Sequence, residues 1–193
     1  MIDHHRRIAL LDSNVLASIT LTDALVQLAV DDVFIAKWTM DIHREWISAV
    51  RKFRPSLDPQ RLERRRRQMD AKTREALITG YESRIDDLTL PDMNDRHVLA
   101  AAIHGRCELI VTRNLKDFPA TALSSHGIKA EHPDAFLTYL LRRNTLMFCE
   151  AMRKVRIRAM NPPIDVEDFL TRLLDEGLIQ TATELRYASH LLL

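Results

Sequence analysis

Apolar residues in this chain fall into a few short unbroken runs, separated by longer stretches in which they recur every three or four positions. Ile8, Ala9, Leu10 and Leu11 form the first run, which stops abruptly at Asp12, Ser13 and Asn14. A run of that length fits a strand buried on both faces, as strands of parallel sheets are. Residues 33–36 and 109–112 read the same way, and 128–130 reads as a short last strand. Helices are predicted from Thr22 or Asp23 to Val30, over 39–50, and over the highly charged stretch 60–78, whole or in two pieces. A further helix starts at the signal Pro91-Asp92-Met93-Asn94-Asp95 and runs to His104, with Gly105 as its stop. Residues 133–158 read as one long helix, followed after Asn161-Pro162-Pro163 by two more, over 166–174 and 179–191. Strands alternating with helices predict a parallel sheet covered on both faces. In such sheets ligands gather at the carboxyl ends of the strands.

Four acids stand at or near that edge. Asp12 follows the first strand directly, and Asp117 lies in the loop after the strand at 109–112. Glu45, on the helix over 39–50, lies about 40° from Ala49 and about 60° from Ile42 at 100° per residue. It therefore borders the apolar stripe of Ile42, Trp46, Ala49 and Val50. Asp95 lies between Val98 and Leu99 in angle, on the face that must rest on the sheet. Each acid alone has a plain alternative as a helix cap, an ion-pair partner or a solvated loop residue. Together they would repel one another unless protons or cations neutralise them. Carboxylate oxygens favour hard cations, which here means Mg2+ or Mn2+.

The residues around these acids resemble the PIN-domain family. Leu10-Leu11-Asp12-Ser13-Asn14 is similar to its opening motif, and Trp38-Thr39 through Glu45 to its second helix. Asp92 to Ala102 is similar to its central helix, and Ile110-Val111-Thr112-Arg113-Asn114-Leu115-Lys116-Asp117-Phe118 to its last strand and loop. The matches keep the family's order and span roughly residues 8–140. The resemblance implies a three-layer α/β/α fold with a central, mostly parallel sheet. It also implies a divalent-metal-dependent endoribonuclease that hydrolyses RNA phosphodiesters through a metal-activated water. Asp12, Glu45, Asp95 and Asp117 carry over as catalytic and metal-binding acids, and Asn14, Thr112 and Asn114 as supporting polar residues. Many members have an acid where Asn114 stands, which makes Asp92 an additional candidate ligand. Many bacterial relatives are toxins of the virulence-associated protein C kind, so transfer or messenger RNA, an antitoxin and a second copy of the chain are the expected partners. Residues 1–141 are expected to form the nuclease domain, and 142–193 a helical extension like that of one bacterial branch.

Composition adds limits. Hydrophobic residues make up 46% of the 193-residue chain, enough for a sizeable core, and glycine is scarce at 4. Net charge is +1, yet basic residues crowd between Arg51 and Arg67 and again between Arg142 and Arg158. Such patches can hold a polyanion even when the average charge is near zero. The run Arg64 to Arg67 reads equally well as a solvated helix face, and Trp38, Trp46 and Tyr81 read as core. His97 is left without a role. Cys107 and Cys149 match no metal spacing and are read as free thiols in a cytoplasmic protein. No secretion signal or membrane span is visible in the sequence. Two other readings stay open. A haloacid dehalogenase-like phosphatase also begins with Asp at a strand end, but needs a second acid where Asn14 stands. A catalytically inactive PIN-fold scaffold would bind RNA or protein without metal.

Overall fold

Five parallel strands form one sheet in the computed structural model, which describes residues 6–159 and 164–193. In chain order they are β1 (Ile8–Leu11), β2 (Ile35–Thr39), β3 (Leu77–Ile78), β4 (Leu109–Val111) and β5 (Lys129–Glu131), and in space they run β3-β2-β1-β4-β5. The helices are α1 (Ser13–Leu16), α2 (Ile19–Val30), α3 (Met40–Phe53), α4 (Pro59–Lys72), α5 (Arg96–His104), α6 (Ala120–Leu123), α7 (Pro133–Arg143), α8 (Thr145–Arg158), α9 (Val166–Asp175) and α10 (Ile179–Tyr187). This is the three-layer α/β/α architecture with a helical C-terminal part.

β1 and β4 lie at the centre, and Leu10 and Ile110 are fully buried there. Their unbroken apolar runs follow from cover on both faces. β2 is shifted from the 33–36 expected: Val33 and Phe34 precede it, and it continues through Lys37, whose ammonium bonds the Glu75 carbonyl at 2.5 Å. The stretch 60–78 is not all helix. α4 ends at Lys72, and Leu77–Ile78 forms the edge strand β3. Gly105 closes α5 as expected, though with φ −77 rather than a left-handed conformation. Its lack of a side chain serves packing instead, since a Cβ there would sit 2.4 Å from Ile78 Cδ1.

The long helix expected over 133–158 is two helices. The chain breaks at Asn144 (φ −150), whose side chain accepts from the Met147 amide at 3.2 Å and caps α8. An N-cap of this kind is a strong start signal, and here it lets α8 turn back onto α2. The expected break at Asn161-Pro162-Pro163 lies outside the described residues. α9 and α10 pack on each other, and α10 packs on α7. Asp134 of α7 fixes that contact by accepting from the amides of Gln180 (2.9 Å) and Thr181 (2.8 Å). Phe34, just before β2, meets Phe136 of α7 edge to face at 5.1 Å, tying the helical part to the sheet.

Part of each basic stretch is structural. Arg65 donates to the carbonyls of Leu16 (3.1 Å) and Ser18 (2.9 Å), holding α4 to the turn before α2. Arg66 pairs with Glu63 and Asp70, and Asp70 also takes the Trp38 indole N–H (2.9 Å) and lies 3.1 Å from His43. In the second stretch Arg142 pairs with Glu184, and Lys154 lies 3.1 Å from Asp31. Trp38, Trp46 and Tyr81 are core residues, and both cysteines are free and buried.

Candidate active site

The carboxyl ends of β1 and β4 meet at a short polar knot. Asp12, only 5% exposed, directly follows β1. One of its oxygens accepts from the Ser13 amide at 2.6 Å, and the other from Asn14 Nδ2 at 2.6 Å and Thr112 Oγ1 at 2.7 Å. Asn14 Oδ1 in turn accepts from the Arg113 amide (3.0 Å), and Thr112 Oγ1 accepts from the Asn114 amide (3.0 Å). The loop after β4 is thereby sewn to the loop after β1. Asn114 completes the chain by donating its side-chain amide to Asp117. The supporting polar residues expected from the sequence thus orient two of the acids.

The acids converge on this knot. One carboxylate oxygen from each of Asp92, Asp95 and Asp117 lies within 4.8 Å of the others. Asp95 pays electrostatically for that crowding. Burial first, then the charges of Asp12, Asp92, Asp117 and Glu45, push its carboxyl up to about 6. Burial also raises Asp12, with Glu45 adding to the rise and the Thr112 and Ser13 bonds opposing it. The four acids expected from the sequence therefore share one electrostatic neighbourhood. Its tightest trio includes Asp92, which the sequence offered only as an additional ligand. Asp92 lies three residues before Asp95, a spacing that brings side chains to one face of a helical turn. Its carboxylate also accepts from the Asn94 amide (2.9 Å) at the turn Met93–Asp95.

Glu45 reaches the cluster's flank from α3. Its Oε1 lies 2.7 Å from His97 Nε2, an ion pair without the alignment of a well-formed hydrogen bond. Burial alone would lower the His97 pKa. Glu45, with Asp41 and Asp95 behind it, more than offsets burial and raises it. His97 is thus a partner of the site's outermost acid, a role that no periodicity in the sequence marks.

A dication fits this donor set. All the donors are carboxylate oxygens, the kind hard cations prefer, and a cation would offset both the burial and the neighbouring negative charges that raise the Asp95 carboxyl. The arrangement gives no support to an aspartyl-phosphate phosphatase. The acid such chemistry needs is here the Asn14 amide, bonded to Asp12.

A family model described as "PIN domain" matches residues 8–116, which span the sheet from β1 to β4 and most of the acidic edge. The chain belongs to that family. A second model, "VapC50 C-terminal domain", matches residues 133–187. Over 64 residues the chain is 65% identical to the Mycobacterium tuberculosis (strain H37Rv) protein named "Putative ribonuclease VapC50". That stretch is 32% of this chain and 38% of the relative, so well under two thirds of the relative's length is covered. No solved structure matches the chain.

Proposed function

We propose that the protein is a divalent-metal-dependent endoribonuclease of the toxin type. The observation that carries the reading is the convergence of Asp92, Asp95 and Asp117 at the sheet edge, with Asp12 and Glu45 close enough to perturb Asp95. Asp12, Asp95 and Asp117, with Asp92 and Glu45, would hold Mg2+ or Mn2+. Bound there, the ion would lower the pKa of a water and stabilise the charge that develops on a phosphodiester.

The chain's own residues supply the frame. Thr112 and Asn14 fix the Asp12 carboxylate by hydrogen bonds, so it enters the reaction already oriented. Asn114 does the same for Asp117. His97 restrains Glu45 beside the cluster. Residues 1–141 carry all of these groups, and in this reading residues 142–193 form a helical extension that shares their core and braces them. A cytoplasmic location, an antitoxin partner and a homodimer accompany the assignment as what the family resemblance implies. No helix among the described residues is long and apolar enough to cross a membrane.

The test is cleavage of single-stranded RNA and transfer RNA with Mn2+, comparing wild type with Asp12→Asn. The variant keeps the size of the side chain and removes its charge, while its amide nitrogen can no longer accept at one of the two positions where the carboxylate accepts from Ser13, or from Asn14 and Thr112. Expected is a loss of at least about a hundredfold in cleavage rate, the scale of removing one preorganised electrostatic group. Equal rates would remove Asp12 from the mechanism.

A further inference from the structure

The loop that joins the two halves of the acidic knot carries one cation whose guanidinium is held from the other end of the chain. Arg113 lies between Thr112 and Asn114, and its backbone amide bonds Asn14 at 3.0 Å. Its Nη2 lies 2.8 Å from Glu176 Oε2, with the two side chains 34% and 25% exposed. Glu176 closes α9, and its neighbours hold it firmly. Its amide bonds the Arg172 carbonyl (3.2 Å), Gly177 turns the chain with φ +76, and Leu178 is fully buried. The following helix α10 is clamped by Asp134.

We propose that Arg113 binds a backbone phosphate of the RNA strand beside the acidic cluster, and that Glu176 is the positioning residue that aims its guanidinium. The proposal rests on the nuclease reading for the nature of its ligand. A cluster of carboxylates repels a polyanion, so a strand that lies across it needs a fixed cation at its border. The arginine run of α4 does not supply one. Arg65 bonds backbone carbonyls and Arg66 pairs with Glu63 and Asp70, while Arg64 and Arg67 lie out in solvent with only loose contacts to Asp58 (3.9 Å) and Glu63 (3.4 Å), so neither is fixed. Arg113 uses Nη2 for Glu176 and has no other side-chain partner among the described residues, so the rest of its planar fork stays available to phosphate oxygens. One carboxylate on one arm fixes the plane of the fork and leaves the cation to act on the ligand. The C-terminal helices would thereby contribute to RNA binding through a single side chain.

The measurement is equilibrium binding of a fluorescent single-stranded oligoribonucleotide by anisotropy, in EDTA so that no cleavage occurs, over a salt series. Arg113→Gln is expected to weaken binding about tenfold and to flatten the slope of log affinity against log salt by about 0.7, the share of one phosphate on a single strand. Arg113→Lys keeps the charge and should retain the slope while losing part of the affinity. Glu176→Gln should weaken binding severalfold, and the double variant Arg113→Gln/Glu176→Gln should bind no worse than Arg113→Gln alone. Unchanged affinity and slope in Arg113→Gln, or no RNA binding by wild type, would overturn the proposal. Tighter binding by Glu176→Gln would also overturn it, because the pair would then block the cation rather than aim it. RNA binding that depends on Arg113 in a protein that cleaves nothing with Mn2+ would support this inference while removing the nuclease reading.

Discussion

Asp95 is the residue at which the site's electrostatics can be read directly. Its carboxyl, at about 6 in the folded protein against 3.8 for a free side chain, holds its proton more tightly when folded. Stability from this group is full below about pH 4 and is lost as pH rises through 6. Metal-free protein is therefore expected to melt at a lower temperature at pH 7 than at pH 5, with a flatter dependence in Asp95→Asn. Differential scanning fluorimetry in EDTA across that range checks it, and an identical slope in both proteins would contradict it. The acids were legible in the sequence where they stand at an element boundary, as Asp12 does after an apolar run, or on the edge of an apolar stripe, as Glu45 does. Asp92 was harder to weigh, because capping the turn at 93–95 already accounts for an aspartate there. The Glu45–His97 and Arg113–Glu176 pairs were not legible, because each joins elements far apart in the chain and neither leaves a periodic trace.

Elements were predicted best where burial is one-dimensional. The central strands β1 and β4 announce themselves as apolar runs, because both faces are covered. The edge strand β3 did not, since two residues leave no pattern and Leu77 is partly exposed while Ile78 is buried. The break between α7 and α8 was missed because helical apolar spacing continues on either side of Asn144, which acts as a cap. Contact between α5's end and β3 makes a specific demand. Gly105→Ala would drive a methyl into Ile78 and should destabilise the fold by about 1–3 kcal/mol, the usual cost of overpacking. Since φ is −77 there, backbone strain adds nothing. Urea unfolding measures the change, and a stability equal to wild type would show that Ile78 moves aside freely.

At the scale of the molecule, the expected boundary after residue 141 separates parts that share a core. α8 buries Phe148, Cys149, Ala151 and Met152, and it packs on α2. α7, on the other side of the boundary, carries the Asp134 that holds α10. Removing residues 142–193 would expose the α2 face that α8 covers, an apolar surface of the kind that aggregates. The truncated chain 1–141 is expected to be aggregated, or to lack a cooperative melting transition, by light scattering and calorimetry. A monomeric truncation that melts like the full chain would show that the extension is an independent appendage. The basic stretches belong to the same lesson. Charge counted along the sequence suggested RNA-binding patches, yet several of those arginines serve the fold: Arg65, Arg142 and Arg156 meet acids or carbonyls of other elements, and Arg66 pairs within α4.

All of this converges on whether the carboxylates at the sheet edge capture a dication. Calorimetric titration of the full chain with Mn2+ at pH 7 answers that most directly. Wild type is expected to bind Mn2+ and to gain thermal stability from it, and Asp95→Asn, folded but lacking the central carboxylate, to lose most of that affinity. Titrations that show no heat of binding in wild type, or equal affinity in the two proteins, would contradict the account.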